Sequence, residues 1–470
     1  MNEDIDKIAV AVEYAHGFDP EIPVEVPDII GVSEESVRAI SARRAERPEV
    51  LDFRLEALAA WQEMHEPHWA GFNYETIDYR KLQFFAEPEK NEAADEKIRA
   101  AYERLGVPLE EREILSGVAV DAVVDSKSVA TTYKKQLAEL GIIFCPMSEA
   151  LAKHFDLVRE HFASVVPARD NFFAALNSAV FTDGTFIYIP AGVKCPIELS
   201  SYFRLQAAKV GQFERTLIIV GEGAELTYLE GCSAPIRDAY QLHSGVVEVV
   251  AKEGARINYA TIQNWYGGDD EGRGGVLNFT TKRAVLDKGA AVSWTQLEVG
   301  AVRTWKYPAC VMLGEGAKGE FYSVAITTRA QAADTGAKML HLAPHTTSLV
   351  RSKSVAMGRS TNTYRGLIRI GADAVGARSF SKCDNLVVGE SARAESLPVL
   401  EGHIGDAEVA HEASVSSISA AQLFALACLG LGEEEAVGLV VNGFALDVVR
   451  RLPAEFAMEA RELINLKIEE

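Results

Sequence analysis

Two of the six cysteines stand in surroundings that favour thiol chemistry. Cys232 in "YLEGCSAPIRD" follows Glu230 and Gly231 where a strand reads as giving way to a turn, and Cys383 in "SFSKCDNLVVG" sits between Lys382 and Asp384 at what reads as a strand start. A thiol beside a cation ionises more easily and becomes a better nucleophile and metal ligand. Cys145 in "GIIFCPM" and Cys428 in "FALACLG" lie in apolar runs and read as core; Cys195 and Cys310 border prolines, with core favoured. No two cysteines are closer than Cys195 and Cys232, so no CxxC or zinc-ribbon spacing exists.

"VAHEAS" sets His411 beside Glu412. Imidazole and carboxylate both bind iron or zinc, although neighbours on a strand point to opposite faces. "QNWY" puts Gln263 and Trp265 on one face of a strand, and Lys282 follows in "TTKRA". His65 and His68 are separated by Pro67, a poor arrangement for a metal that needs two further ligands. Neither a nucleotide-binding loop nor GxSxG or HExxH occurs, which removes the simplest support for several catalytic classes.

The chain that must position these residues has 470 of them and a net charge of −21. That length suggests two or three domains. The acidity disfavours nucleic acid and anionic membranes, both of which select clustered positive charge. The start, "MNEDIDKIAV", has no signal-type apolar run, and "LFALACLGL" is far short of the roughly 20 residues of a membrane span. A cytoplasmic location is expected.

Three regions follow from periodicity. Residues 1–135 read as a helical domain: "PEVLDFRLEALAAWQEM" places Leu51, Leu55, Leu58 and Trp61 on one face, and "NEAADEKIRAAYERLGVP" and "SKSVATTYKKQLAELG" end on glycines. Residues 136–411 read as β. "SAVFTDGTFIYIP" suggests strand–turn–strand. "GEGAELTYLEG", "KEGARINYATI", "DKGAAVSWTQL" and "GEGAKGEFYSV" then share one grammar, a Gly-Ala pair followed by polar–apolar alternation. The pairs start at 223, 254, 289 and 316, with looser copies at 336 and 371. Glycine suits a corner with positive φ, and repeats of roughly 30 residues without helical period suggest a β-solenoid. Residues 412–470 return to helix, with apolar faces too broad for so small a unit to hide alone.

These stretches together identify a resemblance. "YFRLQ…GQFERTLI", "YLEGCSAP", "QNWY", "KCDNLVVG", "HEAS", "VNGF…DV" and "LPAEFAMEA" make the chain similar, over essentially its whole length, to the SufB/SufD family of iron–sulfur cluster assembly proteins, and nearer its SufB branch at "EGCSAP" and "QNWY". The resemblance implies a right-handed parallel β-helix flanked by helical domains. It also implies a complex with SufD, joined through the β-helix end, and with two copies of the ATPase SufC, docked on the C-terminal helices. The chain would be a scaffold and not an enzyme. Cys232 matches the sulfur acceptor, loaded as a persulfide by the cysteine desulfurase SufS and its carrier. Arg204, Gln206, Gln263, Trp265 and Lys282 match the sulfur route. Cys383, with Glu412 and His411, matches the place where a transient 4Fe–4S cluster is built against SufD for apoprotein clients. Reduced FAD is a further family trait, with no motif to locate it. Gln206 stands where many relatives have asparagine, and Ala410 where many have glutamate. A SufD-like structural subunit is the rival reading; a secreted polysaccharide-modifying β-helix fits less well.

Overall fold

The computed structural model describes residues 24–25, 29–85, 87–88, 118–124, 127–131, 134–205, 211–234 and 239–469. Gln206 and the helix expected over 91–108 lie outside them. Two sheets of mainly parallel strands, one of ten and one of twelve, face each other around a lumen and make a β-solenoid of about seven turns. The ten-stranded sheet runs from Lys127–Thr131 and Val118–Val124 through Glu198–Arg204, Glu225–Ser233, Arg256–Asn264, Ala291–Val299, Lys318–Thr327, Thr347–Met357 and Ala377–Val388 to Ala407–Ser417.

The Gly-Ala grammar is one corner of each turn. Gly223, Gly254, Gly289 and Gly316 all have φ between 63° and 71°, a region that costs other residues strain. Each glycine N–H donates to the carbonyl before the next corner residue, as in Gly223 to Glu253 (2.8 Å) and Gly254 to Lys288 (2.9 Å). The alanine that follows each one is fully buried. The ladder continues at His345 and Gly376, not at 336 and 371. Gly336 is glycine for another reason: a Cβ there would meet the Arg365 carbonyl oxygen at 1.9 Å.

Two other expectations are corrected. In "SAVFTDGTFIYIP" only Thr185–Ile189 is a strand; the first half closes the helix Phe172–Val180, whose Asn171 side chain caps Ala174 N. That cap and burial of all nine helical residues override the β propensity of Val180 and Phe181. In "SKSVATTYKKQLAELG" the helix is confined to Lys134–Glu139, and Lys127–Thr131 is a strand paired antiparallel with Val118–Val124. The solenoid's sheet therefore reaches back to 118 and forward to 417.

The C-terminal helices are Ala420–Cys428, Glu433–Val449 and Ala454–Glu469. The last two cover the outer face of the ten-stranded sheet, where Val441, Val448, Phe456 and Leu463 pack with Ile262, Leu297, Val324 and Val355. The first helix has no buried residue. Phe424 and Leu429 are 72% and 79% exposed, and Cys428, expected in the core, is exposed as well. Among the described residues no helix is long and apolar enough to cross a membrane.

Candidate functional site

Alternate residues of each strand face the lumen, and the inward set changes character along the strand. The strand Glu225–Ser233 turns Leu226, Tyr228, Glu230 and Cys232 inward. The next two strands set Ile257, Tyr259, Thr261 and Gln263, then Val292, Trp294, Gln296 and Glu298, in register beside them. Near the glycine corner the lumen is filled by apolar and aromatic side chains. Toward the other edge it is polar and still buried. Buried polar groups are costly unless they are bonded, so their partners define the site.

Cys232 is not at a corner. Its strand continues through Ser233, paired with Phe203 on one side and Gln263 on the other, and it is 4% exposed. Gly231 is not a turn residue either; a Cβ there would meet the Tyr202 ring at 2.6 Å. The Cys232 thiol donates toward Glu230 Oε1 and receives Gln263 Nε2–H, each at 3.9 Å. Trp265 Nε1 (3.3 Å) and Asn278 Nδ2 (2.6 Å) both donate to Gln263 Oε1, which fixes that amide with its NH2 toward sulfur. Lys282 Nζ donates to Glu230 Oε1 (2.5 Å), Tyr259 Oη (3.1 Å) and Thr261 Oγ1 (3.1 Å). Tyr259 donates to the other oxygen of Glu230, and Lys306 pairs with Glu298. Arg204 reaches Ser233 Oγ at 3.5 Å. Gln263, Trp265 and Lys282 are thus gathered with Cys232 in the lumen, whereas Arg204, in register with Ser233, has the outward parity of its strand.

The electrostatics differ from the expected activated thiol. Burial, then the charges of Glu230 and Glu214, push the Cys232 thiol well above its ordinary range. Burial also opposes ionisation of Glu230, but Lys282, Lys306 and the hydrogen bonds outweigh it and hold the carboxylate low. Lys282 is therefore spent on Glu230, and Cys232 rests as a protonated thiol whose proton points at a carboxylate.

Sequence reasoning missed the opposite wall. His243 Nδ1 lies 2.8 Å from Asn278 Oδ1, its Nε2 contacts Glu214 closely, and its ring lies 4.7 Å from that of Trp265. Burial works against a charged His243, yet Glu214 and the hydrogen bonds to Glu214 and Asn278 hold its pKa above the ordinary value. These residues come from the other sheet, and no spacing in the sequence links them to Cys232. The available signal was parity: Asn278, Thr280 and Lys282 are polar residues at alternate positions of one strand.

Cys383 lies mid-strand in Ala377–Val388, 1% exposed, so the expected strand-start position is corrected. Burial pushes its thiol up to about 12, against the opposing effect of the Tyr364, Ser381 and Ser396 hydroxyls. Register places it in the same inward row as Glu230, through Thr261, Gln296, Ser323 and Ser352. All six are buried, and five rungs span about 24 Å. Ser381 pairs with His411 and Lys382 with Glu412. His411 therefore shares the Cys383 face, while Glu412 points away, 3.7 Å from Lys382 Nζ. Beyond Cys383 the strands Arg393–Gly402 and Ala407–Ser417 are largely exposed, Leu400 and Val415 included.

A groove of about 1120 Å3 lies between the last turns and the C-terminal helices. Glu390, Glu433, Glu434 and Glu435 line it with Arg329 and Lys467. That acidic lining does not fit the pyrophosphate of a flavin dinucleotide. His65 and His68 are exposed and join no group of possible metal ligands among the described residues.

Comparison with known proteins gives one answer. Residues 203–444 match the family model described as "SUF system FeS cluster assembly, SufBD core domain", and residues 114–199 match "SufBD protein N-terminal region". An iron–sulfur cluster assembly SufBD family protein of Synechocystis is 49% identical over 100% of this chain and 99% of its own length. A chloroplastic one of Arabidopsis thaliana is 44% identical over 93% and 80%. One from Staphylococcus epidermidis is 39% identical over 97% of both. The solenoid, its polar lumen and these likenesses agree, and the chain belongs to the SufBD family of iron–sulfur cluster assembly proteins of the Suf system.

Proposed function

We propose that this chain is the sulfur-accepting scaffold of its complex, the SufB-type role. The observation that carries the reading is the buried polar row that runs from the Cys232 chamber to Cys383 inside a lumen whose other half is apolar. A purely structural solenoid gains nothing from desolvating such a row.

A desulfurase-loaded carrier presents a persulfide. Cys232 Sγ attacks its outer sulfur, the carrier's S–S bond breaks, and the carrier leaves as a thiolate. Glu230, the carboxylate toward which the thiol points, takes the Cys232 proton. Gln263 Nε2–H, oriented by Trp265 and Asn278, steadies the developing thiolate. Release of the sulfur as hydrosulfide needs two electrons, which a dithiol reductant supplies. The hydroxyl and amide row then leads it to Cys383. There Cys383 and His411 face the lumen and bind iron with the sulfur arriving, as a transient 4Fe–4S cluster; mixed ligation suits a cluster that must be released. Glu412 would take part only from the outer face. The exposed last strands offer an open sheet edge for SufD, and the unpacked helix Ala420–Cys428 an apolar face for SufC, which hydrolyses ATP.

The rival, a SufD-like structural subunit, finds support in the burial of Cys232. Anaerobic reconstitution of the complex with both partners separates the two. Cys232→Ser and Cys383→Ala should each assemble normally and lose iron and labile sulfide. Normal iron and sulfide in both variants would overturn the scaffold role and favour the rival.

A further inference from the structure

The Cys232 chamber contains a second constellation that the sulfur route does not use. Glu214, Cys232 and His243 are all buried, and one ligand atom from each lies within 4.8 Å of the others. We propose that these three residues form a binding site for a first-row divalent cation, filled by ferrous iron in the working complex, so that iron is held where sulfur first arrives. The proposal rests on the sulfur-acceptor reading for its purpose, but not for its geometry.

The donor set is thiolate, imidazole and carboxylate, which suits Fe2+ or Zn2+. Three protein ligands leave a fourth tetrahedral position open, as in sites where a metal meets a reactant. Atoms around such an ion are separated by roughly 3.4 Å. Glu214 and His243 must therefore part slightly and Cys232 close in.

The surroundings are already those of a ligated histidine. Asn278 Nδ2 donates to Gln263 Oε1, which leaves Asn278 Oδ1 to accept from Thr280 Oγ1 and from His243 Nδ1–H. Metal-binding histidines are held by a partner on the second ring nitrogen in this way. It leaves Nε2 as the atom that faces Glu214 and the chamber. Glu214 Oε2 is buried without a hydrogen-bond partner. Glu230 and Glu298 each pair with a lysine, whereas Glu214 faces His243. Room for that carboxylate is reserved by Gly245, where a Cβ would meet Glu214 Oε1 at 2.7 Å.

The test is anaerobic titration of the full-length Cys383→Ala chain with Co2+ as a spectroscopic probe, followed by X-ray absorption of the Fe2+-loaded protein. One equivalent should bind with a thiolate-to-cobalt charge-transfer band, and iron should show one sulfur and two or more nitrogen or oxygen neighbours. His243→Gln and Glu214→Gln should weaken binding by about 100-fold or more, and Asn278→Ala by about 10–100-fold, the cost of removing an outer partner. Cys428→Ser should bind as the parent does. Equal binding in the His243 and Glu214 variants, or an all-oxygen shell around iron, would overturn the site. The X-ray measurement needs no variant, so a misfolded substitution does not shield the proposal. Cobalt and iron binding require no sulfur donor: intact binding with failed sulfur uptake would sink the scaffold reading alone, and the reverse would sink the metal site alone.

Discussion

Cys232 and Cys383 sit in one lumen and in opposite surroundings. Around Cys232 are Glu230, Glu214, Glu298, Lys282, Lys306 and His243, packed into a buried and charged chamber. Around Cys383 are the neutral hydroxyls of Tyr364, Ser381 and Ser396, one rung from the open end. The first arrangement buries several charges against one another; the second buries a thiol among neutral groups beside largely exposed strands. The contrast teaches that burial alone does not define these sites. What differs is whether the wall carries balanced charge or none.

The sharpest way to break the comparison is to unbalance one chamber. Lys282→Ala leaves Glu230 buried without its cation and should destabilise the fold by about 3–5 kcal/mol. Ser352→Ala in the hydroxyl row toward Cys383 should cost about 1 kcal/mol. Urea denaturation of both variants checks the ratio, and similar losses would mean that the two ends are alike.

A smaller effect concerns pH. Cys383 is neutral when protonated, and its folded pKa of about 12 lies above that of an unfolded thiol, about 8.5. Its contribution is complete below the unfolded value and is lost as pH rises from there toward 12. Stability should fall by up to about 1.4 kcal/mol per pH unit for this thiol in that window. Cys383→Ala should flatten the slope; an unchanged slope would assign it to other groups.

The smallest effect separates His411 from Glu412. The Glu412 pair with Lys382 is exposed and worth less than about 1 kcal/mol, so Glu412→Ala should leave stability almost unchanged. His411→Ala, on the Cys383 face, should lower iron retained by the complex more than Glu412→Ala does. The opposite order, by iron analysis, would mean that the outer face carries the ligand.

The corners were legible because each demands a positive φ and then a small inward side chain, a pairing that Gly-Ala meets. Legibility failed at His345, where a non-glycine carries the positive φ, and at Gly336, where close approach to a carbonyl mimics the repeat. The gathering of Gln263, Trp265 and Lys282 followed from resemblance and strand parity. The depth of Cys232 did not, because glycine, serine and proline around it imitate a turn, while Gly231 answers to the Tyr202 ring. Glu214 and His243 were illegible because their meeting with Cys232 depends on how the second sheet closes over the first.

The most direct measurement is uptake of isotopically labelled sulfur from a desulfurase and carrier, followed by peptide mass spectrometry of the complex. The expected result is that Cys383→Ala still gains one labelled sulfur at Cys232 while forming no cluster, and that Cys232→Ser gains none. Labelled sulfur entering Cys232→Ser as readily as the parent would contradict the claim that the charged chamber receives sulfur and the open end builds with it.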